Sequence, residues 1–458
     1  MSVSFLICSV LLLPAAVFAL LGLGWLLGWS PRERTIARIT AACYALAGLA
    51  AGALWAQMTF SGAHQVEVSF GNWFAFGGEG FPLILRVDRL SMPLIALSIV
   101  LVGLIGVFSV RYLHREPGYL RFFTLLHLFA FGIVLLFMAG SFDLLVAGWE
   151  LVGLTSVVLI AFFHERTEPV ENAIRVFATY RACDIGLLTA VVMLHHFARS
   201  TAFSQLLPQA WPGTATPLDS SQATLAGFAL LLAAMGKAAQ IPFSGWLPRA
   251  MEGPTPSSAI FYGALSVHAG AYLLLRAQPI LAASPFVSAA VIAIGVLTAI
   301  HGTMVGRACA DAKTSLAYAS MSQLGIIFVE IGFGWSWLAL FHICGHAVVR
   351  TLQFLRAPSM LHDYHRVHSA AGGHLTDTGG YFEMLFPAPV RPWLYRLALD
   401  RGHHDTVLDR FVVGALVRLA RRLMAIESSF LNSNISTPRP KPLPVLWAAR
   451  RTREGIDG

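Results

Sequence analysis

The sequence predicts an all-α polytopic membrane protein. Hydrophobic residues make up 56% of its 458 positions. Charged residues are only 12%, about half the share usual in soluble domains, and the mean hydropathy is +0.66. Apolar runs of about 20 residues, long enough to cross the hydrocarbon of a bilayer, recur along the chain. Eleven are read, near 4–27, 36–57, 90–110, 122–140, 143–163, 174–197, 224–247, 257–276, 286–306, 314–333 and 335–355. They imply about 11–13 transmembrane helices.

The run from Phe5 to Leu27 lacks a basic flank and is too long for the apolar core of a signal peptide. It reads as the first span. Residues 58–89 contain VEVSFGNWFAFGGEGFPLILRVD, an alternating aromatic stretch around a Gly-Gly turn, which predicts an external β-hairpin. Arg32, Arg34 and Arg38 follow the first span, and Arg111, Arg115 and Arg121 follow the third. Arg166 and Arg175 follow the fifth, Arg249 the seventh, and Arg307 and Lys313 the ninth. The positive-inside rule then puts the N-terminus outside and the C-terminus in the cytoplasm. Residues 357–458 read as a cytoplasmic tail, with an amphipathic helix near 407–428 that presents Arg410, Arg418, Arg421 and Arg422. Most of the net charge of +8 falls after residue 390, which fits a cytoplasmic membrane face and gives no reason to expect nucleic acid. Cys8, Cys43, Cys183, Cys309 and Cys344 form no CxxC pair, so neither an iron–sulfur cluster nor structural zinc is expected in this chain.

Ionisable residues interrupt the apolar runs. Glu150 stands in the fifth, Arg175, Arg181 and Asp184 in the sixth, Lys237 in the seventh, His268 in the eighth and His301 in the ninth. Lys313 opens the tenth, and His342, His346 and Arg350 occupy the eleventh. A charge at membrane depth costs several kcal/mol and usually serves function. Taken singly, Arg175, Arg181, Asp184 and Lys313 fit a paired structural charge equally well. A series of acid, lysine and histidines through successive spans reads as a proton route, because burial moves such groups toward neutral titration. Pro242 follows Lys237 by five residues and predicts a helix break beside it. Gly345, next to His346, predicts a second. His342 and His346 share a helix face, but nearby carboxylates are not evident in the sequence and a metal site is not expected.

The segments WELVGLTSVVLIAFF, GKAAQIPFSGWLPRAMEGPTPSSA and DAKTSLAYASMSQLG resemble signature stretches of the antiporter-like family, which includes subunit L of respiratory complex I and Mrp antiporter subunits. The likeness covers roughly 60–356. It implies inverted five-helix repeats with broken helices, here with a truncated second repeat, and places the proton-translocating core at 90–356 after N-terminal helices at 1–57. It pairs Glu150 with Lys237, aligns Lys313 with a further family lysine, and puts Arg350 where the family has a terminal lysine. Arginine does not release its proton in proteins, so Arg350 reads as a fixed charge or gate, as do Arg175, Arg181 and Asp184.

FYGALSVHAGAYLLLR and RTLQFLRAPSMLHDYH are similar to the membrane subunit (DabB) of DabA–DabB inorganic-carbon transporters. That likeness implies a subunit of the bacterial inner membrane that couples proton or sodium flow to bicarbonate accumulation. Its implied partner is a large peripheral DabA-like subunit that carries the zinc. The alternatives are a proton-pumping subunit of NADH-quinone oxidoreductase or hydrogenase, and an Mrp-type Na⁺/H⁺ antiporter subunit.

Overall fold

The computed structural model describes residues 2–29, 31–76, 79–309, 311–370, 387–402 and 408–432. Two helices come first, α1 (Val3–Leu26) and α2 (Glu33–Ser61). The predicted hairpin follows as β1 (Gln65–Phe76) paired antiparallel with β2 (Glu79–Asp88). Then come α3 (Ser91–Tyr112), α4 (Tyr119–Met138), α5 (Phe142–Ile160) and α6 (Thr167–Ala198). A short α7 (Phe203–Leu206) precedes α8 (Ser220–Lys237), α9 (Trp246–Arg249), α10 (Thr255–Ser258), α11 (His268–Arg276) and α12 (Gln278–Ala282). The series closes with α13 (Pro285–Ala308), α14 (Ala312–Gly332) and α15 (Ser336–Ala370).

Among the described residues nine helices are long and apolar enough to cross a membrane: α1 to α6 and α13 to α15. The stretches 224–247 and 257–276 are present as broken segments. Helix α8 stops at Lys237, and a π-helical turn at Ala259–Ala264 lies between α10 and α11. Backbone without continuous helical bonds is tolerated at membrane depth only where protein or water covers it. Protein covers the second break, where residues 265–267 are buried, whereas Pro242 at the first is exposed.

The break after Lys237 does not arise at Pro242, as the sequence suggested. Ala239 takes the left-handed conformation at φ 51°, and the amide of Gln240 donates to the Met235 carbonyl at 2.9 Å. That pattern closes a helix end by itself, and Pro242 follows outside it. Gly345 breaks nothing. Helix α15 runs through it and on to Ala370, beyond the limit of 357 expected for the polar tail.

Helix starts are fixed by side chains that accept the first free amides. Ser141 caps α5 by accepting from Leu144, and Asp219 closes a capping box with Gln222 on α8. Helices α13 and α14 approach so closely that a Cβ on Gly295 would lie 2.5 Å from the Gly325 carbonyl. The chain divides at residue 413. The smaller unit contains a helix at Gly414–Asn432, which covers most of the predicted amphipathic segment. Residues 371–386, 403–407 and 433–458 of the expected tail lie outside the described residues.

Candidate functional site

Lys237 is the last residue of α8 and only 1% exposed. Its Nζ donates to the Trp149 carbonyl at 3.2 Å. The same nitrogen lies 4.8 Å from the Trp149 ring and 4.3 Å from the Tyr180 ring, so two aromatic faces replace part of its hydration. Gly153 leaves room for it, because a Cβ there would lie 2.9 Å from Nζ.

Carboxylates surround this position without the expected direct pair. Glu150 forms its ion pair with Arg181. Arg181 also reaches Asp184 at 2.7 Å, and the Trp149 indole N–H donates to Asp184 at 2.5 Å. Arg181 intervenes because it stands one turn from Asp184 on α6 and faces α5. The Glu150–Lys237 pairing is thereby corrected to a cluster of Glu150, Arg181, Asp184 and Lys237 across α5, α6 and α8. With the lysine protonated its formal charge balances; without that proton it carries one negative charge in excess.

A second cluster joins α11, α14 and α15. His268 Nε2 lies 2.8 Å from His346 Nδ1. Arg350 Nε donates to His346 Nε2 at 3.3 Å, and its terminal nitrogen donates to Gln353 Oε1 at 2.7 Å. His342 Nδ1 lies 2.9 Å from Glu330 Oε1, and its Nε2 lies 3.0 Å from Gln323 Oε1. Glu330 was not singled out in the sequence. It is an acid inside the apolar run 314–333, the same signal that marked Glu150, and the structure adds its burial and its His342 partner. The buried hydroxyls of Ser156 on α5 and Ser266, two residues before His268, lie 3.5 Å apart.

Other expected residues fall elsewhere. Arg175 binds Asp409 through two contacts of 2.6 Å, which marks it as a structural tie. His301 packs its ring 6.1 Å from that of Tyr318. Lys313 is half-buried at the start of α14, outside both clusters. Among the described residues no group of three His, Cys, Asp or Glu could hold a metal ion.

A polytopic membrane protein with a lysine–carboxylate cluster and a histidine array on broken and continuous helices is the class that these features define. Residues 139–385 match the membrane-spanning family described as NADH:quinone oxidoreductase/Mrp antiporter, and residues 73–123 match the N-terminal region of chain 5 of complex I. The chain belongs to the NADH:quinone oxidoreductase/Mrp antiporter family.

It is 34% identical to NADH-ubiquinone oxidoreductase chain 5 of Neurospora crassa over 281 residues, 60% of this chain and 38% of the relative. It is 34% identical to NADH-quinone oxidoreductase subunit L of Campylobacter jejuni over 296 residues, 65% of this chain and 48% of the relative. It thus spans less than half the length of these relatives. The solved Mrp complex from Dietzia sp. DQ12-45-1b aligns with a TM-score of 0.66 and 26% identity, over 77% of this chain and 37% of that one. These relatives overturn the carbon-transporter expectation. They are named as NADH-ubiquinone and NADH-quinone oxidoreductase subunits and an Mrp complex, and neither bicarbonate coupling nor a DabA-like zinc partner is supported. The early motifs are shared across the family, so the short subgroup-like stretches carried too little information to choose within it.

Proposed function

We propose that this chain is a proton-translocating membrane subunit of an NADH:quinone oxidoreductase or Mrp-type complex. The observation that carries the reading is Lys237: a titratable amine, fully buried, at the end of a broken helix and within a cluster whose charge balances only while it holds a proton. A lysine can release its proton where an arginine cannot. Loss of that proton leaves Glu150 and Asp184 in excess over Arg181, which favours reprotonation and makes the cycle reversible. Ser156 and Ser266 support continuity toward His268. His301 and Lys313 stand as supplementary carriers near the charged ends of α13 and α14. The driving force across a bilayer is about 2.3 kcal/mol per charge per 100 mV. Charge placement along the loops supports an outside N-terminus and a cytoplasmic C-terminus. Partners on this reading are the other membrane subunits of the complex.

The test is proton translocation in vesicles from the native host, read by quenching of a pH-sensitive dye. Lys237→Met and Lys237→Arg should both abolish the signal, the second because it keeps the charge and removes the transferable proton. Wild-type translocation in Lys237→Met would overturn the reading. Identification of the subunits that co-purify would separate an NADH-oxidising assembly from an Mrp-type one.

A further inference from the structure

We propose that Arg350 fixes the tautomer of His346 and so closes the far side of the histidine relay to protons. The inference rests on the proton-translocating reading above. A guanidinium has donors only and stays protonated in proteins. Its Nε donates to His346 Nε2 at 3.3 Å, so that ring nitrogen presents its lone pair. Neutral His346 therefore carries its hydrogen on Nδ1, because one ring nitrogen donates when the other accepts. Nδ1 faces His268 Nε2 at 2.8 Å, and the bond runs from His346 to His268.

The polarity of the whole row follows from one residue: Arg350 donates to His346, and His346 donates to His268. His346 then offers no lone pair toward His268 and no N–H toward Arg350. A second proton on His346 requires the Arg350 contact to break, and it sets two positive charges side by side around a buried ring. His342 offers no hydrogen-bonded bypass through His346. Its ring centre is 6.3 Å from that of His346, and its two nitrogens face Glu330 and Gln323. A proton that reaches His268 is accordingly not handed along α15. Arg350 is a positioning residue that acts through His346.

Lysine at the same position would keep a donor and could release its proton, so Arg350→Lys should open the closed side. Passive proton leak through proteoliposomes of the assembled complex should rise by roughly a hundredfold, the low side of what one positioned proton carrier supplies. Lys237→Met added to Arg350→Lys should cancel the rise.

Nitrogen-15 spectra of histidine-labelled complex, with the His346 signal assigned by its loss in His346→Gln, should show the Nδ1–H tautomer. Arg350→Met should shift the population toward Nε2–H. An Nε2–H tautomer in the wild type, an unchanged tautomer in Arg350→Met, or an unchanged leak in Arg350→Lys would each overturn the proposal. Failure of the functional reading shows separately, as full translocation in Lys237→Met with the tautomer result intact.

Discussion

Two charge clusters in this molecule use similar residues in opposite ways. At the end of β2, Asp88 is 1% exposed and Arg276 2%. Arg276 grips Asp88 at 2.5 and 3.1 Å. Arg86 adds a contact at 3.2 Å and itself reaches Gln65 at 2.8 Å. The Asp88 carboxylate also accepts the amides of Leu90 and Ser91. Tyr272 accepts from Arg276 and donates to the Phe137 carbonyl at 3.1 Å. This knot ties the hairpin to α3, α4 and α11. Its cations are arginines, which hold their protons, and its carboxylate is saturated with donors. The Lys237 site has a cation that can titrate, held by two rings and one carbonyl, with its carboxylates engaged by Arg181. Saturation and non-titrating cations make a structural knot; a titratable group with looser partners makes a site where charge can change.

The sharpest way to break that distinction is to remove one charge from each. Asp88→Asn leaves two buried guanidinium groups without their carboxylate, a change that costs about 3–5 kcal/mol when a buried pair loses one partner. Thermal unfolding of the detergent-solubilised protein should show it as a large loss, with assembly reduced accordingly. Lys237→Met keeps a chain of similar length against Trp149 and Tyr180 and should cost clearly less, while abolishing translocation. Equal destabilisation by the two variants would erase the contrast.

Acid offers a gentler probe of the knot. Burial alone would raise the Asp88 carboxyl, but Arg276 and Arg86 outweigh it and hold it down at about 2, against an ordinary 3.8. The sign follows from linkage: the stability this group contributes is present above the ordinary value and is lost as pH falls through the folded one. Between pH 4 and pH 2 the wild type should therefore lose about 2 kcal/mol from this source. Asp88→Asn should lack that component of the acid dependence. Unfolding midpoints of both proteins across the window test it, and parallel acid slopes would contradict the assignment.

The contrast also marks what could be read in the linear sequence. Apolar runs of bilayer length announced the spans, and alternation around Gly-Gly announced the hairpin. Lys237 stood out because no acid lies near it in the chain. Arg181 and Asp184 were visible together, since three residues on a helix share a face. Pairings between distant segments were not visible. Asp88 and Arg276 are 188 positions apart, and Arg175 and Asp409 are 234 apart. No local pattern encodes such contacts. Whether Glu150 would meet Lys237 or Arg181 depends on the rotation of α5, α6 and α8 about their axes, and close packing at Gly186 and Gly236 fixes α6 against α8. The end of α8 was legible in outcome but not in cause, because a left-handed alanine has no sequence signature as plain as proline.

The smallest expected effect concerns the helix beneath the histidines. Because α15 runs through Gly345, that glycine serves neither a bend nor a close approach. A Cβ there would meet nothing within 4 Å. Glycine inside a helix costs roughly 0.5–1 kcal/mol relative to alanine, through the freedom it gives the unfolded chain. Gly345→Ala should therefore raise stability by up to about that amount. It should leave the His268–His346 contact and proton translocation unchanged, since Gly345 faces away from buried His346. A hinge at Gly345 that translocation requires would give the opposite result, with stability raised and transport lost. Unfolding midpoints and dye quenching on the same vesicles separate the two, and they decide whether translocation draws on backbone movement in α15.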